Sequence, residues 1–140
     1  MRLEAQACWE RLGPAGHGVL GTLHPERGVD AVPVVFVVDG GRILIPIDTV
    51  KAKGTRRLQR LANLEADPRC VVLVEHYDDD WSQLWWVRLH GRASEAAPSP
   101  TRLESLAAAF PAYAAADSVT ALIVLRPDEI TGWAAAADAR

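Results

Sequence analysis

A chain of 140 residues with 49% hydrophobic content is long enough to bury a core without disulfides or metal, and reads as one domain, 1–140. Its formal net charge of -3 argues against a general nucleic-acid or membrane-surface binder, because the cations gather in one segment and acids dilute them elsewhere. Cys8 and Cys70 belong to no CxxC or Cys/His cluster and read as free thiols in a reducing compartment, no metal site is expected, and no apolar run approaches the roughly 20 residues that span a bilayer.

Residues 1–12 read as an N-terminal helix with Leu3, Ala7, Cys8 and Leu12 near one face, stopped by Gly13-Pro14 and placed as a lid on a sheet. Gly16-His17-Gly18-Val19-Leu20-Gly21 matches GxGxxG formally. A dinucleotide loop needs a strand before it and a helix after it, however, and here the β-like Val19-Leu20-Gly21-Thr22-Leu23 follows, so the match is set aside. His24 to Gly28 form a turn, and Val29 to Val38 read as one long β segment in which Pro33 marks an edge or a bulge. Asp39-Gly40-Gly41 is a hairpin turn into the strand Arg42 to Ile47. A helix near 55–67 then presents Leu58, Leu61, Ala62 and Leu64 inward and Arg56, Arg57 and Arg60 outward, and Asp67-Pro68 ends it. Cys70 to Tyr77 and Leu84 to Ala93 are further strands joined by an acidic loop. A helix near 101–113 opens on Thr101-Arg102-Leu103-Glu104, which has the form of a capping box. Val119 to Arg126 is the last full strand, Ile130 to Trp133 a shorter one, and 134–140 a frayed tail. Six or seven strands over 18–133, without βαβ alternation, predict an α+β, mainly β domain built as a closed or half-closed antiparallel barrel. With no signal peptide ahead of Leu3 the expected location is cytoplasmic.

One segment stands apart in charge. Between Thr49 and Leu64 there is no acid, while Lys51 and Lys53, both lysines of the chain, stand there with Arg56, Arg57 and Arg60. The run follows a strand and enters a helix, so its hydroxyl, amides and cations converge where a helix N-terminus already favours negative charge. A phosphate is the expected guest. Asp78-Asp79-Asp80 lacks the glycine and distal glutamate of a calcium loop and reads as a solvated turn. Trp85 and Trp86 occupy successive strand positions and point to opposite faces.

The order of these pieces resembles the split-barrel flavin-binding proteins of the pyridoxamine 5'-phosphate oxidase superfamily, and within them the flavin/deazaflavin oxidoreductases. Val32-Pro33-Val34-Val35-Phe36, then Lys51-Ala52-Lys53-Gly54-Thr55-Arg56-Arg57-Leu58 with Asp67-Pro68-Arg69, carry the likeness. His76 to Trp81 and Leu84 to Gly91 look like an actinobacterial subgroup thought to use coenzyme F420. The resemblance implies an antiparallel split β-barrel with flanking helices, of the FMN-binding type, in which Lys51, Lys53, Thr55 and Arg56, with Arg57 nearby, hold the cofactor phosphate. It implies that the ring lies along Pro33, Val34 and Val35, bracketed by Ile45 and Ile47. Such proteins are usually homodimers with cofactor sites at the interface, so Trp81, Trp85 and Trp86 are expected to reach a ring held mainly by the other subunit. Gly54 is an extra residue relative to the common K-T-R spacing, which blurs the assignment of each cation. The implied function is hydride transfer between F420 and a small organic substrate, with FMN as the alternative cofactor and a non-catalytic flavin, deazaflavin or haem binder as the alternative role. No catalytic side chain is assigned, because the cofactor carries the reactive atom. His76, Tyr77 and His90 are the titratable groups available for a proton.

Overall fold

The computed structural model describes residues 1–48 and 58–140. Its elements follow the chain as helix α1 (Ala5–Ala15), strands β1 (His17–His24), β2 (Gly28–Val35), β3 (Val37–Asp39) and β4 (Arg42–Asp48), helix α2 (Gln59–Ala66), strands β5 (Arg69–His76) and β6 (Trp85–Ala96), helix α3 (Pro100–Ala109) and strand β7 (Val119–Ala134). All seven strands form one antiparallel sheet in the order β2-β1-β5-β6-β7-β4-β3, which curls but does not close. Among the described residues no helix is long and apolar enough to cross a membrane.

Strand alternation divides the chain between two faces. Leu20, Val72, Val74, Val87, Leu89, Ile43, Ile45, Ile123 and Leu125 point into the curled sheet and form its core with Cys8 and Leu12 of α1 and Leu61 and Leu64 of α2. On the opposite face Leu44, Leu122 and Val124 meet Leu106 of α3 in a second cluster. Glycine is needed where backbones come closest. A Cβ on Gly18 would stand 2.5 Å from the Leu73 carbonyl oxygen, so β1 and β5 pair there only without a side chain. Gly16 has φ 68° and caps α1, so the glycines of the GxGxxG match serve a helix end and a close strand pair.

Several expectations change. The stretch Val29 to Val38 is not one strand: β2 pairs with β1 at one end of the sheet, and β3 pairs with β4 at the other. Phe36 makes the passage, its side chain buried and its N–H bonded to the Gly16 carbonyl at 2.9 Å. The last two β pieces are a single sixteen-residue strand, whose register with β6 shifts between His90 and Gly91, opposite Pro127. Helix α1 runs past Gly13-Pro14 to Ala15, while residues 1–3 bond to the end of β7, Leu3 N–H to Gly132 O and Ala134 N–H to Met1 O, both at 3.0 Å.

Two buried polar side chains tie the layers together. Arg11 of α1 donates through Nε and Nη2 to the Ala139 carbonyl (3.1 and 2.8 Å) and through Nη2 to that of Ala137 (3.3 Å). The segment expected to fray is therefore docked, with Ala139 buried. Asn63 of α2, fully buried, donates from Nδ2 to Thr22 Oγ1 of β1 (3.0 Å) and to Asp30 Oδ2 of β2 (2.8 Å), while its Oδ1 accepts from Gln59 Nε2 (2.9 Å). Arg27 grips the same Asp30 carboxylate with two bonds of 2.7 and 2.9 Å.

Two measurements test these ties. Arg11→Met strands buried carbonyls, so unfolding free energy should fall by about 1–3 kcal/mol and amide exchange at residues 137–139 should quicken; unchanged exchange there would mean that Arg11 does not hold the tail. Arg27, then Asn63, pull the Asp30 carboxyl down to about 2, below the value of about 3.9 for an unfolded chain. A carboxyl depressed on folding stabilises above its unfolded pKa, and that contribution is lost as pH falls through the folded value. The urea midpoints of the wild type and Asp30→Asn should thus converge from pH ~4 toward ~2. Asp67, which Arg69 holds at about 2, acts equally in both proteins and drops out of the comparison. A gap that stays constant across the window would remove Asp30 from this role.

Candidate cofactor-binding cleft

Where the sheet fails to close, β2 and β4 approach without pairing and a cleft of about 800 Å³ opens between them. One wall is Val32, Pro33, Val34 and Val35 of β2; Pro46 and Ile47 of β4 with Ala121 of β7 face it; Leu58 and Leu61 of α2 lie at its edge. These are small or branched apolar groups, suited to a flat ring. Prolines on both β2 and β4 have local reasons. β2 ends the sheet, and β3 pairs β4 only as far as Leu44, so neither Pro33 nor Pro46 interrupts a ladder on its outer side.

The polar groups of the cleft come from separate elements. His17 stands at the start of β1, Asp48 at the end of β4, Arg60 in the first turn of α2, Glu95 near the end of β6, Tyr113 in the 3₁₀ turn Pro111–Ala114, and Thr120 on β7. His17 Nδ1 lies 3.0 Å from the Ala15 carbonyl oxygen. A carbonyl only accepts, so Nδ1 carries the hydrogen and Nε2 is the ring atom left for a ligand. Burial, and then the charge of Asp48, raises the Tyr113 pKa above its usual value, which keeps the phenol a neutral donor. Burial lowers the pKa of Arg60 while Asp48 favours its charged form, and Arg60 Nε is buried without a hydrogen-bond partner among the described residues. Thr120 Oγ1 donates to the Ile47 carbonyl (3.3 Å), tying β7 to the β4 wall at the bulge beside Asp48.

Of the residues that the sequence nominates, the cleft brings together Pro33, Val34, Val35 and Ile47. Ile45 is instead buried in the core. Lys51, Lys53, Thr55, Arg56 and Arg57 lie outside the described residues, although Asp48 before them and Leu58 after them both line the cleft. Trp81 and Trp86 do not line it: Trp81 is 68% exposed, and Trp86 lies on the outer face of the sheet opposite Trp133, with the Arg88 guanidinium 5.1 Å from its ring centre. Trp85 points inward, stacked on His76 at 6.1 Å. None of His76, Tyr77 or His90 lines the cleft; the imidazole and the phenol that do are those of His17 and Tyr113, which the sequence reading did not nominate. Arg60 was assigned to the outward helix face and faces the cleft instead. Helical periodicity gives the faces of a helix but not what lies beyond its end, and the first turn of α2 overhangs the cleft. Cys70 is no nucleophile, since burial pushes its thiol up to about 12.

Comparison with known proteins agrees with this geometry. Solved structures share the fold at low identity. An FAD-binding protein from Mycobacterium smegmatis is 21% identical, with 95% of this chain and 96% of that one covered and a TM-score of 0.66. An FAD-binding protein from Mesorhizobium loti is 16% identical (94% and 93% covered, TM-score 0.69). A conserved hypothetical protein of Mycobacterium tuberculosis is 18% identical (95% and 86% covered, TM-score 0.73). No curated protein matches. The family described as pyridoxamine 5'-phosphate oxidase matches residues 4–134, nearly the whole described fold, and the chain, an open split barrel with its cleft at the seam, belongs to that family.

Proposed function

We propose that the cleft binds a phosphorylated flavin-type cofactor, F420 or FMN, and that the protein uses it to transfer hydride to or from a small organic substrate. The observation that carries this reading is the cleft itself: an apolar wall of β2 facing β4 across about 800 Å³, with a buried guanidinium nitrogen at its α2 edge that has no hydrogen-bond partner among the described residues. That volume is in the range of cofactor sites, and an orphaned donor fits an anionic group. The names of the Mycobacterium smegmatis and Mesorhizobium loti proteins favour a flavin, and the His76 to Trp81 and Leu84 to Gly91 segments favour F420.

When bound, such a cofactor supplies the atom that gives or takes the hydride. The chain's own work is then limited. Val32 to Val35 and Ile47 lie flat against the ring and exclude water, Lys51, Lys53, Thr55, Arg56 and Arg57 hold the phosphate, and His17 Nε2 exchanges any proton that accompanies the hydride. Nothing in this scheme asks for a reactive thiol, and the protein is expected to work in the cytoplasm.

The reading includes a homodimer. Val19, Leu73 and Val29, together with Trp86 and Trp133, lie on the outer face of the sheet, away from the part of it that α3 covers, and Val29 is 70% exposed. A second copy seated there buries them and brings Trp81 and Trp86 toward its partner's cofactor.

Two measurements test these proposals. Apo-protein titrated in parallel with F420, FMN and FAD, following ligand and tryptophan fluorescence, should saturate tightly with one of the first two; binding of none would overturn the cofactor reading. Light scattering after size exclusion should give twice the chain mass, falling to one for Leu73→Glu with the fold intact, and a monomeric wild type would end the dimer proposal.

A further inference from the structure

We propose that His24 is a proton-operated latch: neutral, it closes the turn that fixes α2 at the edge of the cleft, and protonated, it releases that turn. The latch stands on the geometry of the turn, and only its effect on ligand affinity rests on the cofactor reading of the cleft.

β1 and β2 are joined by Pro25, Glu26 and Arg27 alone, since His24 already pairs with Gly28. The backbone N–H groups of Glu26 and Arg27 both donate to Nδ1 of the half-buried His24 ring, at 3.1 and 3.2 Å. Among the described residues these two amides bond to nothing else. Nδ1 stands where an asparagine at this position would put its side-chain oxygen, so the imidazole closes the turn as an Asn or Asp side chain commonly does. An amide oxygen accepts at every pH. Nδ1 accepts only while the ring is neutral with its hydrogen on Nε2, and imidazoles change charge between about pH 5 and 8. A proton on Nδ1 makes it a donor facing two donors, and the turn loses the bonds that close it.

What the turn carries connects it to the cleft. Arg27 grips Asp30 with two bonds, Asp30 accepts from Asn63 of α2, and α2 brings Arg60 and Leu61 to the cleft edge. Arg27 foremost, then Asn63, hold the Asp30 carboxyl low, and the charge of His24 adds to them last. A charged imidazole is therefore drawn to the carboxylate that Arg27 holds. The other charged groups near the latch or on elements packed against β1 are Glu26 in the turn, Arg69 and Glu75 on β5, Arg60 and Glu65 on α2, and Asp67 just past its end, which is paired with Arg69. Protonation thus removes two acceptor bonds and sets the imidazolium against Arg27 for one carboxylate.

The test follows the His24 ring nitrogens, the backbone amides of Glu26 and Arg27 and the side-chain amide of Asn63 by nitrogen-edited NMR of the apo-protein from about pH 8 to about 5. At the upper end the ring should be the Nε2–H tautomer. On acidification the two backbone amides and the Asn63 side chain should shift with the midpoint of the imidazole. In His24→Asn, which keeps an acceptor and cannot titrate, they should stay in place. An Nδ1–H ring at the upper end, or an Asn63 amide that ignores the titration of His24, would overturn the latch. With FMN, or F420 should the protein select it, the wild type should lose about 3–10-fold more affinity over this range than His24→Asn does, the usual worth of a hydrogen bond. The loss in the variant absorbs the titration of His17 and of the ligand's own phosphate. Equal losses in the two proteins would overturn the coupling to the cleft. A wild type that binds neither FMN nor F420 would refute the cofactor reading alone, the latch standing or falling on the amide shifts.

Discussion

Phe36 fixes the architecture, because it joins strands that lie at opposite ends of the sheet. β2 ends at Val35 and β3 begins at Val37, and so short a connection reaches only about 7 Å. The sheet must therefore curl until its two ends meet at this residue, whose buried side chain and bond to Gly16 hold the junction. Away from the junction the ends need not pair, and Pro33 on β2 and Pro46 on β4, each without a backbone N–H, both stand where the gap opens. A joined end and an unpaired end together make a barrel with a slot. The slot is the cleft.

What makes the slot a site is the placing of α2 at its edge, and that rests on a polar side chain. Leu61 and Leu64 bury the helix against the sheet, but apolar contact is tolerant of small rotations and slides. Asn63 is not tolerant. Its two donors and its acceptor are all engaged inside the protein, with partners on β1, on β2 and on α2 itself, so any rotation of the helix leaves a buried amide unpaired. The bidentate Arg27 grip holds Asp30 in turn, and the chain of contacts runs from an exposed turn to the cleft wall. Arg60, three residues before Asn63, inherits its position from this network. A charged group facing a slot is useful only if it is aimed.

Local pattern made much of this legible in the sequence. The β-branched runs, the Asp39-Gly40-Gly41 turn with both glycines at positive φ, and the acidic loop between β5 and β6 place strands where they are found. The apolar wall of the cleft was readable too, since Pro33, Val34, Val35 and Ile47 belong to strands whose order resembles a known family. What failed depended on partners far away in the chain. Alternation runs unbroken through Val35-Phe36-Val37, so nothing local says that the strand changes neighbours at Phe36. Pro127 looks like a strand end until a register shift on β6 accommodates it. The alanine-rich tail looks free until Arg11, 128 residues away from Ala139, reaches its carbonyls. Asn63 looked like any polar residue on a helix.

The same distinction explains which site residues escaped. His17, Asp48, Arg60, Glu95, Tyr113 and Thr120 come from six elements, and no spacing in the sequence links them. They are also unlike a hydrolytic site. Among them His17 is the side chain whose tautomer is set by a backbone carbonyl, Tyr113 is kept neutral, and the two cysteines are buried elsewhere. A cleft that is apolar on its long walls, charged only at its edges and without an activated nucleophile among its described residues is arranged to hold and orient a ligand rather than to attack one. On the cofactor reading proposed for it, the chemistry of such a place arrives with the ligand rather than with a side chain.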